Sequence, residues 1–166
     1  MIFCSWNIKG LNQSFRQKKL KLFLSHTKIN LFRKKIRSNK KDTITKLLGR
    51  EMTCTADYNM DQTGRIWLCW KHQQVKVTIE LATSQMVHYY MEDKGFRFAS
   101  FMTFVYGYNT CGGRKEMLEQ LREIHQNMNE LWVILSDFNT GLSVTDRLNR
   151  APIQQTDIQD FHDCIE

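Results

Sequence analysis

Apolar positions along this chain follow two different periods, and the change from one to the other predicts its elements. Residues 2–8 read as a strand opening into the polar loop Asn7-Ile8-Lys9-Gly10-Leu11-Asn12. From 15 to 27, Leu20, Phe23, Leu24 and Thr27 recur at helical spacing with lysines between them, which predicts a helix. A strand begins again at Ile29, Leu31 and Phe32 and turns sharply basic after Phe32. Ile44, Leu47 and Leu48 share one face of a second helix over 38–49, with Ser38 placed to cap it. Between 52 and 109 the signal changes to β. GRIWLCW, VKVTIEL, QMVHYYM and FRFASFMTFVYGYN are rich in branched and aromatic residues, several alternating with polar ones. Gly95 and the cluster Glu92-Asp93-Lys94 predict a turn between the last two. A helix over 114–129 carries the stripe Met117, Leu121, Ile124 and Met128. The apolar run Leu131 to Leu135 predicts a buried strand, and Thr156 with Gln159 fits a capping box opening a short helix over 156–165. Helices flanking a run of strands predict an α/β layered domain.

Composition narrows this only modestly. The 166 residues suffice for one domain, 42% apolar and 25% charged residues are ordinary for a globular chain, and the only proline, Pro152, marks no linker. The expectation is a single domain over 1–166. Lys and Arg outnumber Asp and Glu by 24 to 17, a net charge of +7 that favours a polyanionic partner such as nucleic acid. A solvated basic surface explains the charge equally well. The five cysteines are scattered without a C-x-x-C pair, so reduced, mostly buried thiols are expected rather than a zinc site or disulfide framework. No apolar run approaches the roughly 18 residues of a membrane span, and MIFCSWNIKGLN is too short and polar for a signal peptide. An intracellular, non-secreted protein is expected, nuclear if it meets DNA.

The candidate chemistry gathers at strand ends. Asp137 and Asn139 follow the apolar run in LWVILSDFNT, where a strand can hold loop residues rigidly. An ionised Asp can orient or deprotonate a water, and a nearby Asn can donate a hydrogen bond to charge developing on a phosphate oxygen. The simpler alternative is an Asx-turn in which both side chains bond their own backbone. Tyr106 and Asn109 close a second strand, and Asn7 a third. Three such ends in one domain suggest a convergent mouth.

Taken in order, SWNIKGLN, GRIWLCW, FVYGYNT, LWVILSDFN and TDRLNR resemble the amino-terminal part of the endonuclease domain of plant LINE-type (non-LTR) retrotransposons. Such domains belong to the endonuclease/exonuclease/phosphatase superfamily, with apurinic endonucleases and deoxyribonuclease I. The resemblance runs over nearly the whole chain. It implies a four-layer α/β sandwich of the deoxyribonuclease I-like type, and a hydrolase that cuts DNA phosphodiesters with Mg²⁺ and a water nucleophile. It also implies roles: Asn7 beside the metal, Tyr106 and Asn109 closing on the scissile phosphate, Asp137 aligning the water, Asn139 stabilising the transition state.

The chain departs from that pattern in three places. The family's metal-binding Glu, in a stretch ending Glu-Thr-Lys, is replaced after Phe32 by Arg33-Lys34-Lys35. The family continues to a late Asp and a terminal Asp-His pair that have no counterpart before Glu166, so a partial sandwich without its C-terminal part is expected. Ser136 stands where the family has glycine. Mg²⁺ needs hard oxygen ligands that Arg and Lys cannot supply. The expectation is therefore a catalytically impaired remnant of a retrotransposon endonuclease, with Mg²⁺ binding in doubt and weak DNA binding through its basic surface. The alternative is a non-catalytic, basic nucleic-acid-binding module. No small-molecule cofactor and no membrane partner are expected.

Overall fold

The computed structural model describes residues 2–5, 13–26, 29–34, 41–56, 66–95, 98–140 and 155–165. Their order is β1 (Ile2–Ser5), α1 (Ser14–His26), β2 (Ile29–Lys34), α2 (Lys41–Leu48), β3 (Met52–Ala56), β4 (Trp67–Lys71), β5 (Val75–Ala82), β6 (Met86–Asp93), β7 (Ala99–Tyr106), α3 (Cys111–Asn127), β8 (Trp132–Asp137) and α4 (Gln155–Ile165). Two four-stranded sheets result, ordered β1-β2-β4-β3 and β5-β6-β7-β8. Each contains one parallel pair, β1 with β2 and β7 with β8. A parallel pair cannot be closed by a tight turn. The intervening helices, α1 in one sheet and α3 in the other, make the crossovers.

The alternation of β6 and β7 accounts for the layering. Val87, Tyr89 and Met91 on β6 and Met102 and Phe104 on β7 are buried together with Ile66, Leu68 and Val75. Register partners put Tyr89 opposite Met102 and Val87 opposite Phe104, so both strands turn the same face inward. Leu68 comes from the other sheet, and this cluster is therefore the filling of a sandwich. Each such side chain contributes about 1.5–3 kcal/mol on burial. On the opposite face of the second sheet, Met86 and Val105 pack with Met117, Leu118 and Leu121 of α3 and Phe161 of α4. Two sheets with helices outside them make the mixed α/β sandwich that the sequence leads one to expect.

Several local expectations need correction. The strand at the apolar run is longer than Leu131–Leu135 and displaced: Leu131 lies outside it, 57% exposed, and Asp137 is its last residue. It is not a buried strand. β8 is the outermost described strand of its sheet, with every residue exposed or half-buried. Its apolar run reflects two partly covered faces, since Val133 and Leu135 meet the inter-sheet core while Trp132 meets the α3 side. The strand Met52–Ala56 carries no signal strong enough to single it out, yet pairs along its length with β4. Helix α4 already includes Gln155, so Thr156 lies inside the helix rather than just before it. Gln159 instead donates to Asp163 Oδ1 at 2.7 Å. Ser38 lies outside the described residues.

Among the described residues, Cys54, Cys69, Cys111 and Cys164 form no disulfide. Cys54 and Cys69 face each other across β3 and β4. Burial and then the neighbouring Cys54 push the Cys69 thiol well above its ordinary range. No helix is long and apolar enough to cross a membrane among the described residues.

Candidate functional site

Because β7 and β8 run parallel, their C-terminal ends and the loops beyond them emerge on the same edge of the sheet. Tyr106, the last residue of β7, pairs in register with Asp137, the last residue of β8. Tyr106 shares the alternation of Met102 and Phe104 and packs against the inter-sheet core. Asp137 shares that of Val133 and Leu135, so both residues stand on the inward face where the sandwich filling ends. Asn109 is exposed two residues before α3, and Asn139 is half-buried two residues past β8. Four of the five residues singled out in the sequence therefore come together. Asn7, the fifth, lies outside the described residues.

The two loops are fastened to each other by contacts that allow little slack. Gly107 N donates to Asp137 O at 2.9 Å, extending the ladder by one step. Asn139 Nδ2 donates back to Gly107 O at 2.6 Å. A Cβ on Gly107 would stand 2.5 Å from Phe138 O and 3.1 Å from its carbonyl carbon, so close backbone approach demands glycine here. Asn139 has φ +53°, the only non-glycine residue in the left-handed region among the described residues. Asn tolerates that conformation better than most side chains, and its amide also supplies the link to Gly107. An Asx-turn onto its own backbone does not form: the acceptor is 32 residues away. Ser136 does not have a positive φ, which is why serine is accommodated where the resembling domains carry glycine.

Two residues not foreseen in the sequence hold this mouth together. Arg114, in the first turn of α3, is 4% exposed; its guanidinium donates to Tyr108 O at 3.0 Å and Asn139 O at 3.3 Å, bridging the loops from beneath. Gln85, also 4% exposed, accepts Tyr106 N at its carbonyl (2.7 Å) and Tyr108 N at Oε1 (2.7 Å), and donates from Nε2 to Gly113 O (2.8 Å). Tyr108 completes the seam with a 3.1 Å bond from its hydroxyl to Ser84 Oγ. Neither residue had a local signal. Arg114 reads as a solvated helix cation and Gln85 as the polar first residue of the β run QMVHYYM, and their side-chain partners lie 6 to 28 residues away.

The Asp137 carboxylate is half-buried and has no hydrogen-bond or ion-pair partner among the described residues. It is thus presented to whatever enters the mouth, while Arg114 places a fixed positive charge just beneath. Among the described residues no three His, Cys, Asp or Glu side chains are placed to hold one metal ion. The residues after Phe32, where a carboxylate would be needed, are Arg33 and Lys34, the last two positions of β2.

No sequence-family model and no curated protein matches the chain. Solved structures do. Over 84% of this chain, TDP2 from D. rerio in complex with a single-strand DNA product superposes with a TM-score of 0.61 at 14% identity. The endonuclease domain of TRAS1, a telomere-specific non-LTR retrotransposon, covers the same share with a TM-score of 0.61 at 12% identity. An endonuclease/exonuclease/phosphatase family protein from Bacteroides thetaiotaomicron covers 82% with a TM-score of 0.63 at 9% identity. The chain spans 60%, 59% and 62% of those three chains respectively. Two packed sheets with outer helices, ending in a mouth beyond β7 and β8, thus make this the fold of the endonuclease/exonuclease/phosphatase proteins, which the chain shares with a non-LTR retrotransposon endonuclease domain.

Proposed function

We propose that the chain is a degenerate LINE-type endonuclease domain that keeps a phosphate-facing mouth and binds nucleic acid there, with metal-dependent cleavage impaired. The observation that carries this reading is the register of Tyr106 with Asp137, which brings Asn109 and Asn139 to the same edge over the buried Arg114. The exposed Asn109 amide above a fixed cation suits a phosphodiester oxygen, and the Asp137 carboxylate, without a partner among the described residues, suits a water's proton. The net charge of +7 adds a sequence-independent attraction to a polyanion. The neighbour bound to single-strand DNA and the retrotransposon neighbour lend the reading further support. Impairment is argued from Arg33 and Lys34, cations at the strand end where a hard-cation site requires oxygen ligands.

A plasmid-nicking assay with Mg²⁺ or Mn²⁺ tests the proposal, run beside duplex and single-strand DNA binding measured over a salt series. The expected result is binding that falls steeply with salt and no nicking above background. Metal-dependent nicking that disappears in an Asp137→Ala variant would overturn the impairment. Absence of DNA binding even at low salt would overturn the whole reading, including its non-catalytic alternative.

A further inference from the structure

On the outer face of the second sheet, away from the inter-sheet core, a cavity of about 460 Å³ lies between β5, β6 and β7 and the C-terminal half of α3. Its charged lining among the described residues is Glu80, Glu123 and Glu130, with no Lys or Arg, although the chain as a whole carries +7. None of the three carboxylates has an ion-pair partner among the described residues. Leu81, Ile124 and Met128 give the same cavity an apolar wall.

His88 sets its polarity. The side chain is 5% exposed, its ring stacks on Phe101 at 5.4 Å, and it forms part of the cavity lining. Thr103 Oγ1 lies 2.8 Å from His88 Nδ1 and accepts a 2.8 Å hydrogen bond from Trp132 Nε1. Indole can only donate, so the Thr103 hydroxyl is an acceptor towards Trp132 and keeps its own proton to give. Thr103 is fully buried, and His88 Nδ1 is its one acceptor among the described residues. The chain of bonds therefore runs Trp132 to Thr103 to His88, which leaves the imidazole proton on Nε2. That Nε2–H has no partner among the described residues. Burial lowers the His88 pKa against a smaller opposing pull from Glu80, keeping the ring in this neutral, donating form near neutral pH.

We infer that this cavity is a docking site for a basic side chain on a partner polypeptide. The guanidinium or ammonium meets Glu80, Glu123 and Glu130, its methylene stem lies along Leu81, Ile124 and Met128, and a neighbouring peptide carbonyl accepts the His88 Nε2–H. Charge complementarity selects a cation, the apolar wall selects one carried on a stem, and the lone donor selects an attached carbonyl. A free polyamine satisfies only the first two. The site is independent of the strand-end mouth, so its failure would leave the nucleic-acid reading untouched.

The test is a titration of the full chain followed by NMR at the Trp132 indole N–H, which ends the bond chain reaching His88. The probes are Nα-acetyl-arginine N-methylamide, the lysine and leucine equivalents, and spermidine. The expected result is a saturable shift of the Trp132 signal by the arginine or lysine probe, and none by the leucine probe. Affinity should drop at least roughly threefold in a Glu80→Gln/Glu123→Gln variant whose melting temperature is unchanged, since both residues are exposed carboxylates. The inference is overturned if no probe gives a saturable shift, if the leucine probe binds as well as the arginine probe, or if the double variant binds undiminished. Spermidine binding as tightly as the arginine probe would also overturn it, since the site would then take free polyamines.

Discussion

Substituting Gly107 by alanine places one methyl group where the second loop's backbone already sits. The added carbon would stand 2.5 Å from Phe138 O, 3.1 Å from its carbonyl carbon and 3.3 Å from Arg114 Cδ. Arg114 can yield a little, but Phe138 cannot move without drawing Asp137 and Asn139 with it. The overpacking itself costs about 1–3 kcal/mol. Moving the loop also endangers the bonds of Gly107 N to Asp137 O, Asn139 Nδ2 to Gly107 O and Arg114 to Asn139 O, each contributing about 1 kcal/mol net. Partial relaxation will trade one loss against the other, so Gly107→Ala should destabilise by about 2–4 kcal/mol. Urea denaturation followed by circular dichroism measures it directly. Gly112→Ala is the control: it lies in the first turn of α3, and a Cβ there meets nothing within 4 Å. That variant should be neutral or stabilising by up to about 1 kcal/mol, through a less flexible unfolded chain. A Gly107→Ala protein within about 0.5 kcal/mol of wild type would refute the claim that the loops are locked by close approach.

Other outcomes follow from the same geometry. Arg114→Met keeps much of the buried stem but strips two carbonyls of a charged donor, and should cost about 2–4 kcal/mol in the same denaturation assay. Ser100 is 1% exposed and its hydroxyl has no partner among the described residues, so Ser100→Ala should stabilise by about 1 kcal/mol, read as a raised urea midpoint. His88 is held below its ordinary pKa chiefly by burial, so the unfolded chain takes up the proton more readily. Its contribution is full above about pH 6.5 and is lost as the pH falls below that, which denaturation midpoints at descending pH should show and a His88→Gln variant should flatten. Without metal, the Asp137 carboxylate repels phosphate; Asp137→Asn should tighten low-salt DNA binding by about two- to fivefold in fluorescence anisotropy, with little change in stability.

What the sequence makes legible is whatever has a short period. The β6 run QMVHYYM and the β7 run FRFASFMTFVYGYN stand out by their branched and aromatic residues, and the helix stripe of Met117 and Leu121 is buried as its spacing requires. The gathering of Tyr106, Asn109, Asp137 and Asn139 was legible as a suspicion, because each follows an apolar strand. What made it specific was parallel pairing, and sequence pattern does not declare which strands are neighbours. Arg114 and Gln85 were invisible for a related reason. Their value lies in bonds to distant carbonyls and amides, which leave no local signature. The edge position of β8 was misread because a strand half-covered on both faces has the same apolar run as one fully enclosed.

The Gln85 hub carries a consequence for how this domain can be altered. One side chain and its own carbonyl tie the β5–β6 turn, the loop after β7 and the first turn of α3 into a single unit. Loop grafting and insertion at any one of those three segments would detune the other two. The three-residue turn 72–74, exposed and linking the two sheets, bonds to none of those three segments, so a tag spliced in there would leave the hub undisturbed.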